Sequence, residues 1–330
     1  MTLAGHFWSI APTVRDLLLP PRALPAGTTV RVAIDDDAFG PGALSATLRV
    51  PAHARDLVVL VHGLGGSRNA GYVLRAAREL HARGAATLCV DLRGADLSGS
   101  GVYHVALTDD LHAFLGAREL HAFARVFVLG FSMGGHVALH LATTPEDPRL
   151  CGVAAIGTPL DLHGMQRHLD RRRGALYRHW VLQGLKRIYA AVAARTAVPT
   201  PLPVVRACRT FHAWDTHVIC KLYGCASPEA FYARHSAARV LPQLAVDTVL
   251  VHAVADPLVP PELVLPFVGH AARGKLHVCQ LPRGGHLQYP SGQALGLDRD
   301  DGGGQEGGHG GDSVLAQLAD HWRLGRYAVS

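Results

Sequence analysis

No apolar run among the 330 residues is long enough to cross a bilayer. Residues 1–21 lack a basic segment followed by an apolar one, so no secretory leader is expected. Six cysteines, at 89, 151, 208, 220, 225 and 279, form no C-x-x-C pair. Cys89, Cys151 and Cys279 lie in apolar strand-like runs and read as buried free thiols, which points to a reducing, cytoplasmic setting. Charge is sparse, 18% of residues, and the excess is only +6 with histidine neutral. It is not interleaved with aromatics, so a nucleic-acid partner is not expected. A Walker-type loop is missing, and so is G-x-G-x-x-G after the first parallel strand. A nucleotide cofactor is therefore not expected.

What the chain does have is core-forming material: 48% of its residues are hydrophobic, a content suited to a globular α/β protein. Residues 29–34 and 46–50 alternate with period two and predict an antiparallel start, with a turn-rich stretch at 35–42 between them. Residues 57–61 are continuously apolar, as in a strand buried on both faces. Strand-like runs at 86–92, 126–129 and 152–157 follow, alternating with helical patterns at 72–83, 109–123 and beyond residue 132. That order implies a parallel sheet with right-handed crossovers and helices on both faces. The sheet resumes at 248–255 and 275–281, and 314–322 predicts a closing amphipathic helix.

Between these two halves, residues 162–245 contain no buried strand pattern. A helical stripe runs through Leu176, Trp180, Leu185, Ile188 and Val192, and a second helix is predicted over 229–238. Arg167, Arg171, Arg172, Arg173, Arg178, Lys186 and Arg187 surround the stripe, with Asp170 the only acid. Residues 198–203 read as a stiff proline linker. We expect three parts: a core half at 1–161, a helical cap at 162–245 and a second core half at 246–330. The Gly- and Asp-rich stretch 290–311, with its run at 302–311, reads as a loop without a core. The N-terminal apolar residues Phe7, Trp8 and Ile10, followed by Leu17 to Leu19, read as a packing arm, with a weak interfacial anchor as the alternative. The basic cap helix reads as a solvated face, with peripheral membrane contact as the alternative.

The chemistry centres on Gly130-Phe131-Ser132-Met133-Gly134, between a strand pattern and a helix pattern. In that context G-x-S-x-G places a serine on a sharp turn at a strand's carboxyl end. With 36 glycines the bare pattern can arise by accident, so its partners decide. A serine hydroxyl needs a base, and the base needs an orienting acid. Asp256 and His286 each follow a parallel strand, at the edge where Ser132 lies, in the chain order Ser, Asp, His. Asp247 precedes its strand and belongs to the opposite edge, and Asp161 is a weaker competitor. The amides of Met133 and Leu64 are placed to meet a developing oxyanion. His62 is read as structural, its ring pinning the loop. His136 and His140 are four apart, as in H-E-x-x-H, but Val137 stands where that motif needs glutamate, so no catalytic metal is expected.

These residues resemble the α/β-hydrolase superfamily, and within it the YheT-like carboxylesterases, related to animal α/β-hydrolase-domain lipases. The resemblance runs from residue 57 to residue 286. It rests on HGLGGS at 62–67, DLRGADLSG at 91–99 with Tyr103 and His104, GFSMGGHVALH at 130–140 and GTPLDL at 157–162. Further matches are FHAWDT at 211–216, Tyr232 with Ser236, VHAVADPLVP at 251–260 and GGHL at 284–287. It implies an α/β-hydrolase fold, with nucleophile Ser132, acid Asp256 and base His286. The substrates it implies are short to medium acyl esters or lipid esters, with no cofactor. Two alternatives stay open at this level: an acyltransferase on the same triad, and a catalytically silent binding protein.

Overall fold

Continuous apolar runs build the sheet that everything else packs on. The computed structural model describes residues 3–18, 23–36, 39–99, 101–297 and 312–324. Its eight strands are β1 (Thr28–Asp36), β2 (Gly40–Arg49), β3 (Asp56–Val61), β4 (Ala86–Val90), β5 (Arg125–Phe131), β6 (Leu150–Ile156), β7 (Asp247–Ala253) and β8 (Leu276–Leu281). They form one sheet in the order β1-β2-β4-β3-β5-β6-β7-β8. β1 and β2 pair antiparallel, β2 joins β4 antiparallel, and all other neighbours are parallel. This is the expected α/β-hydrolase architecture.

Burial on both faces explains the unbroken apolar strands. In β3, Leu57, Val59 and Val61 enter one core and Val58 and Leu60 the other. The second core is closed by α2 (Gly71–Ala82) and by the C-terminal helix Val314–His321. Between β6 and β7 every regular element of the described chain is a helix. These include α5 (Leu162–Asp170) and α6 (Ala175–Ala193). The other helices used below are α1 (Leu3–Leu18), α3 (Asp109–Leu115) and α4 (Met133–Leu141).

Several local expectations need correction. Residues 35–42 are largely strand, because β1 and β2 pair from Thr28↔Leu48 to Asp36↔Gly40. The helix expected over 109–123 ends at Leu115, where Gly116 caps it, and a short 3-10 turn Arg118–Leu120 follows. Glycine favours helix interiors least after proline, so the break is local chemistry. The proline-rich linker is shorter than expected, since a helix begins at Leu202.

Cys151 is exposed, against the expectation of a buried thiol. β6 pairs Val126↔Leu150 and then Phe127↔Gly152, so the register skips Cys151 and turns it out of the sheet. Cys89 and Cys279 are buried. Cys220 and Cys225 are joined by a disulfide, which cysteine spacing did not reveal. A disulfide is commoner in oxidising compartments, so cysteine content does not sustain the reducing-compartment expectation. The glycine run 302–311 lies outside the described residues. Among the described residues no helix is long and apolar enough to cross a membrane.

Candidate active site

The turn from β5 into α4 holds Ser132 in a conformation that residues with a Cβ rarely adopt, φ 52° and ψ −120°. Backbone contacts over-determine it. Ser132 N–H donates to Ile156 O at 2.8 Å, and the Ser132 carbonyl accepts from Thr158 Oγ1 at 3.0 Å and Gly135 N–H at 3.0 Å. The flanking glycines are required by space. A Cβ on Gly130 would stand 2.3 Å from Gly134 O, and one on Gly134 would stand 2.4 Å from His62 O. Such a turn costs free energy locally and persists because its surroundings leave no alternative. It lifts the Ser132 side chain to the sheet's carboxyl edge, at the wall of a cavity of about 600 Å3.

Asp256 follows β7 and is buried. Its Oδ1 accepts from Leu258 N–H at 2.8 Å and Val259 N–H at 3.0 Å. Its Oδ2 lies 2.9 Å from His286 Nδ1. An ionised carboxylate only accepts, so Nδ1 carries the proton and Nε2 keeps a lone pair. His286 follows β8 and lines the same cavity as Ser132. Asp247, by contrast, opens β7 at the other edge, where it meets His277 and His321 at 3.2 Å. Asp161 precedes α5, and its carbonyl accepts from Met165 N–H at 3.0 Å.

The loop after β3 approaches the cavity through residues 63–66. Gly63 N–H donates to Tyr72 Oη at 2.9 Å and Gly65 N–H to Tyr103 Oη at 2.7 Å. The amide between them, on Leu64, has no acceptor among the described residues, and neither has that of Met133. Two N–H donors are therefore left for a ligand while their neighbours are spent on holding the loop. His62 pins the same loop as expected: Nδ1 donates to Gly63 O at 2.8 Å and Nε2 accepts from Leu92 N–H at 3.2 Å. Burial pushes its pKa down to about 4, so the ring is neutral and can make both contacts.

His136 is also tied into backbone. Its Nδ1 lies 3.0 Å from Val105 O, and Nε2 accepts from Ala237 N–H at 2.9 Å. His140 Nε2 lies 2.9 Å from His235 O. Among the described residues no group of three or more His, Cys, Asp or Glu side chains is arranged to hold a metal ion.

Besides the loop-holding roles of Tyr72 and Tyr103, sequence reasoning missed two contributors. Ser9 of α1 accepts from His286 N–H through Oγ at 2.8 Å, although 277 residues separate them. No local pattern announces such a contact. Its trace is Gly285: a Cβ there would stand 2.4 Å from Gly5 O and 2.5 Å from Ser9 Oγ, so the glycine lets α1 seat on the histidine loop. The second is Asp215, whose carboxylate accepts from Tyr232 Oη beside the cavity. Burial pushes its pKa up to about 7. Both residues lie in motifs quoted above for the family resemblance, and the pairing itself was not foreseen.

Comparison with known proteins agrees with this architecture. A model of the family described as serine aminopeptidase, S33 matches residues 52–288. The chain is 27% identical over 228 residues to the candidate esterase YheT of Escherichia coli (strain K12), a match covering 65% of this chain and 66% of that protein's length. Among solved structures, 2,6-dihydroxy-pseudo-oxynicotine hydrolase superposes with a TM-score of 0.51 at 20% identity, over 84% of this chain and 66% of that one. An esterase from Pyrococcus furiosus superposes with a TM-score of 0.50 at 18% identity, over 81% of this chain and 89% of that one. At these identities the two structures testify to a shared fold.

Proposed function

The chain belongs to the serine aminopeptidase S33 family of α/β-hydrolases, and from that premise we propose that it is a serine hydrolase cleaving carboxylic esters through Ser132, His286 and Asp256. The observation that carries the reading is the 2.9 Å contact between Asp256 Oδ2 and Nδ1 of His286, whose ring lines the same cavity as Ser132. The contact leaves the Nε2 lone pair to take the Ser132 proton. Oγ then attacks the ester carbonyl, and the Leu64 and Met133 amides receive the oxyanion. Asp256 offsets the charge that develops on the imidazole. The imidazolium returns its proton to the leaving alkoxide, and water resolves the acyl-enzyme by the same route. Labelling with a fluorophosphonate probe, followed by a panel of p-nitrophenyl and glyceryl esters, tests this. A wild-type protein that takes no label sinks it.

Tyr103 is a positioning residue in this scheme. Tyr103→Phe leaves the Gly65 N–H without its acceptor, at a cost of about 1–3 kcal/mol, and loosens the loop that aims the Leu64 amide. Since an oxyanion donor acts on the transition state, kcat falls by roughly tenfold to a hundredfold while KM holds. An equal rise in KM with unchanged kcat would place Tyr103 in substrate binding instead.

The helical segment 162–245 serves as the cap. Leu162, Met165, Leu169 and Leu185 give the cavity apolar walls beside Ser132. Each CH2 they bury stabilises binding by about 0.8 kcal/mol, so kcat/KM on p-nitrophenyl esters rises roughly tenfold from acetate to medium chains and falls where the chain outgrows the cavity. Met165→Trp fills the cavity and moves the optimum to shorter chains. An unchanged profile in that variant would mean that the acyl chain lies elsewhere.

A further inference from the structure

Nine large hydrophobic side chains are exposed among the described residues, and five of them, Leu3, Phe7, Ile10, Leu176 and Trp180, stand on just two helices, α1 and α6. This departs from the sequence reading on both helices. Phe7 and Ile10 are expected to pack, with a weak interfacial anchor as the alternative, yet Phe7 is 61% and Ile10 41% exposed, and Leu3 beside them is 90% exposed. The apolar stripe of α6 divides: Leu185, Ile188 and Val192 are buried, while Leu176 is 62% and Trp180 72% exposed.

Helical spacing explains the division. Leu176, Trp180, Gln183 and Arg187 recur at three- and four-residue steps along the outer face of α6, all exposed. Leu3, Phe7 and Ile10 recur in the same way on α1. The two helices meet where His6 Nδ1 and Tyr177 Oη lie 2.6 Å apart with their rings stacked. Both reach the cavity that holds Ser132, because Ile10, Leu176 and Trp180 are among its lining. Those three therefore stand at the cavity mouth, and Leu3 and Phe7 extend the apolar patch away from it along α1 without lining the cavity.

On the cap side the exposed charge beside the patch has one sign. Arg171, Arg172 and Arg173 are exposed in the turn before Leu176, with Arg167 one turn earlier and Arg187 at the far end of the stripe. None of the five has a carboxylate partner among the described residues. The sole acid in this stretch, Asp170, is spent on the Phe211 and His212 amides, at 2.8 and 3.1 Å. A protein partner with an acidic rim would meet the charge, but exposed apolar side chains next to unpaired arginines at a cavity mouth are the pattern of interfacial binding. Trp180 at its centre is the side chain that best occupies a headgroup layer.

We propose that the rim of α1 and α6 docks on an anionic lipid bilayer, with its arginines on the headgroups and Leu3, Phe7, Leu176 and Trp180 in the acyl boundary. The docked mouth then faces the membrane, and an ester can pass from bilayer to cavity without crossing water. The substrate class becomes bilayer-borne esters; this last step rests on the hydrolase reading, whereas docking does not.

Co-sedimentation of the whole protein tests docking separately from chemistry. It uses vesicles of phosphatidylcholine alone and of equimolar phosphatidylcholine and phosphatidylglycerol. The wild type partitions at least tenfold better onto the anionic vesicles, and raising salt until the screening length is about 3 Å releases it. Arg171→Glu, Arg172→Glu and Arg173→Glu together lower that partition at least tenfold. Leu3→Ser with Phe7→Ser lowers it several-fold and leaves hydrolysis of a soluble ester in vesicle-free buffer unchanged. Ser132→Ala docks like the wild type. Equal partition onto both vesicle types, or a triple arginine variant that docks normally, overturns the proposal. So does a dimer in sedimentation that Phe7→Ser splits, for then a second copy covers the patch. If docking holds while Ser132→Ala keeps its hydrolysis, the hydrolase reading falls and the docking surface stands.

Discussion

Ser132→Ala is expected to lower kcat on p-nitrophenyl esters by about 10^4- to 10^6-fold while leaving a folded protein. The substitution removes one oxygen, the atom that forms the acyl bond, and keeps the Cβ whose backbone sits at φ 52°. Alanine tolerates that region no worse than serine, since the steric cost comes from Cβ itself. The turn is held by main-chain contacts, the Ser132 N–H on Ile156 O and the Ser132 carbonyl under Thr158 Oγ1, and none of these needs the hydroxyl. The melting temperature should therefore stay within a few degrees of the wild type, and fluorophosphonate labelling should vanish. Retained labelling in a folded variant would show that another nucleophile does the chemistry.

Much of the fold was legible because its strands are buried on both faces. The runs at 57–61 and 126–129 have no polar residue to offer solvent, and a parallel sheet between two helical layers is where such strands belong. The site was legible for a related reason. In a parallel sheet every strand's carboxyl end opens on one edge, so Ser132, Asp256 and His286 could be assigned to a common edge by counting strands. The departures share a different physics. Cys151 reads as a core residue in any window of sequence, and only the skipped register with β5 turns it outward. The α6 stripe looks uniformly apolar in sequence, but in its first two turns Tyr177, Val181 and Leu182 take the packing while Leu176 and Trp180 face outward. Ser9, Tyr72 and Tyr103 act through contacts with distant backbone amides, and no periodicity encodes a partner that far along the chain.

Asp256→Asn should lower kcat about ten-thousandfold with little change in KM, and its carboxylate contacts show why. Two backbone amides, Leu258 N–H and Val259 N–H, point at Oδ1 at 2.8 and 3.0 Å. They are donors and demand an oxygen. An asparagine must therefore keep its carbonyl there and turn its NH2 toward His286. That NH2 would lie where Oδ2 now stands, 2.9 Å from Nδ1. Two donors cannot share a hydrogen bond, so Nδ1 must give up its proton and become the acceptor. The ring proton moves to Nε2, the nitrogen that has to be bare to take the Ser132 proton. The imidazole is thus held in place in the wrong tautomer: ground-state binding survives and turnover does not. Flipping the amide instead would set its NH2 against two backbone donors in a buried site, at a cost of about 1–3 kcal/mol for each unsatisfied group. Asp161→Asn should change kcat by less than about threefold, since that residue precedes α5 and has no hydrogen bond to His286. Steady-state kinetics on the two variants decide the matter. A crippled Asp161→Asn beside an active Asp256→Asn would move the orienting acid from the end of β7 to the entrance of α5.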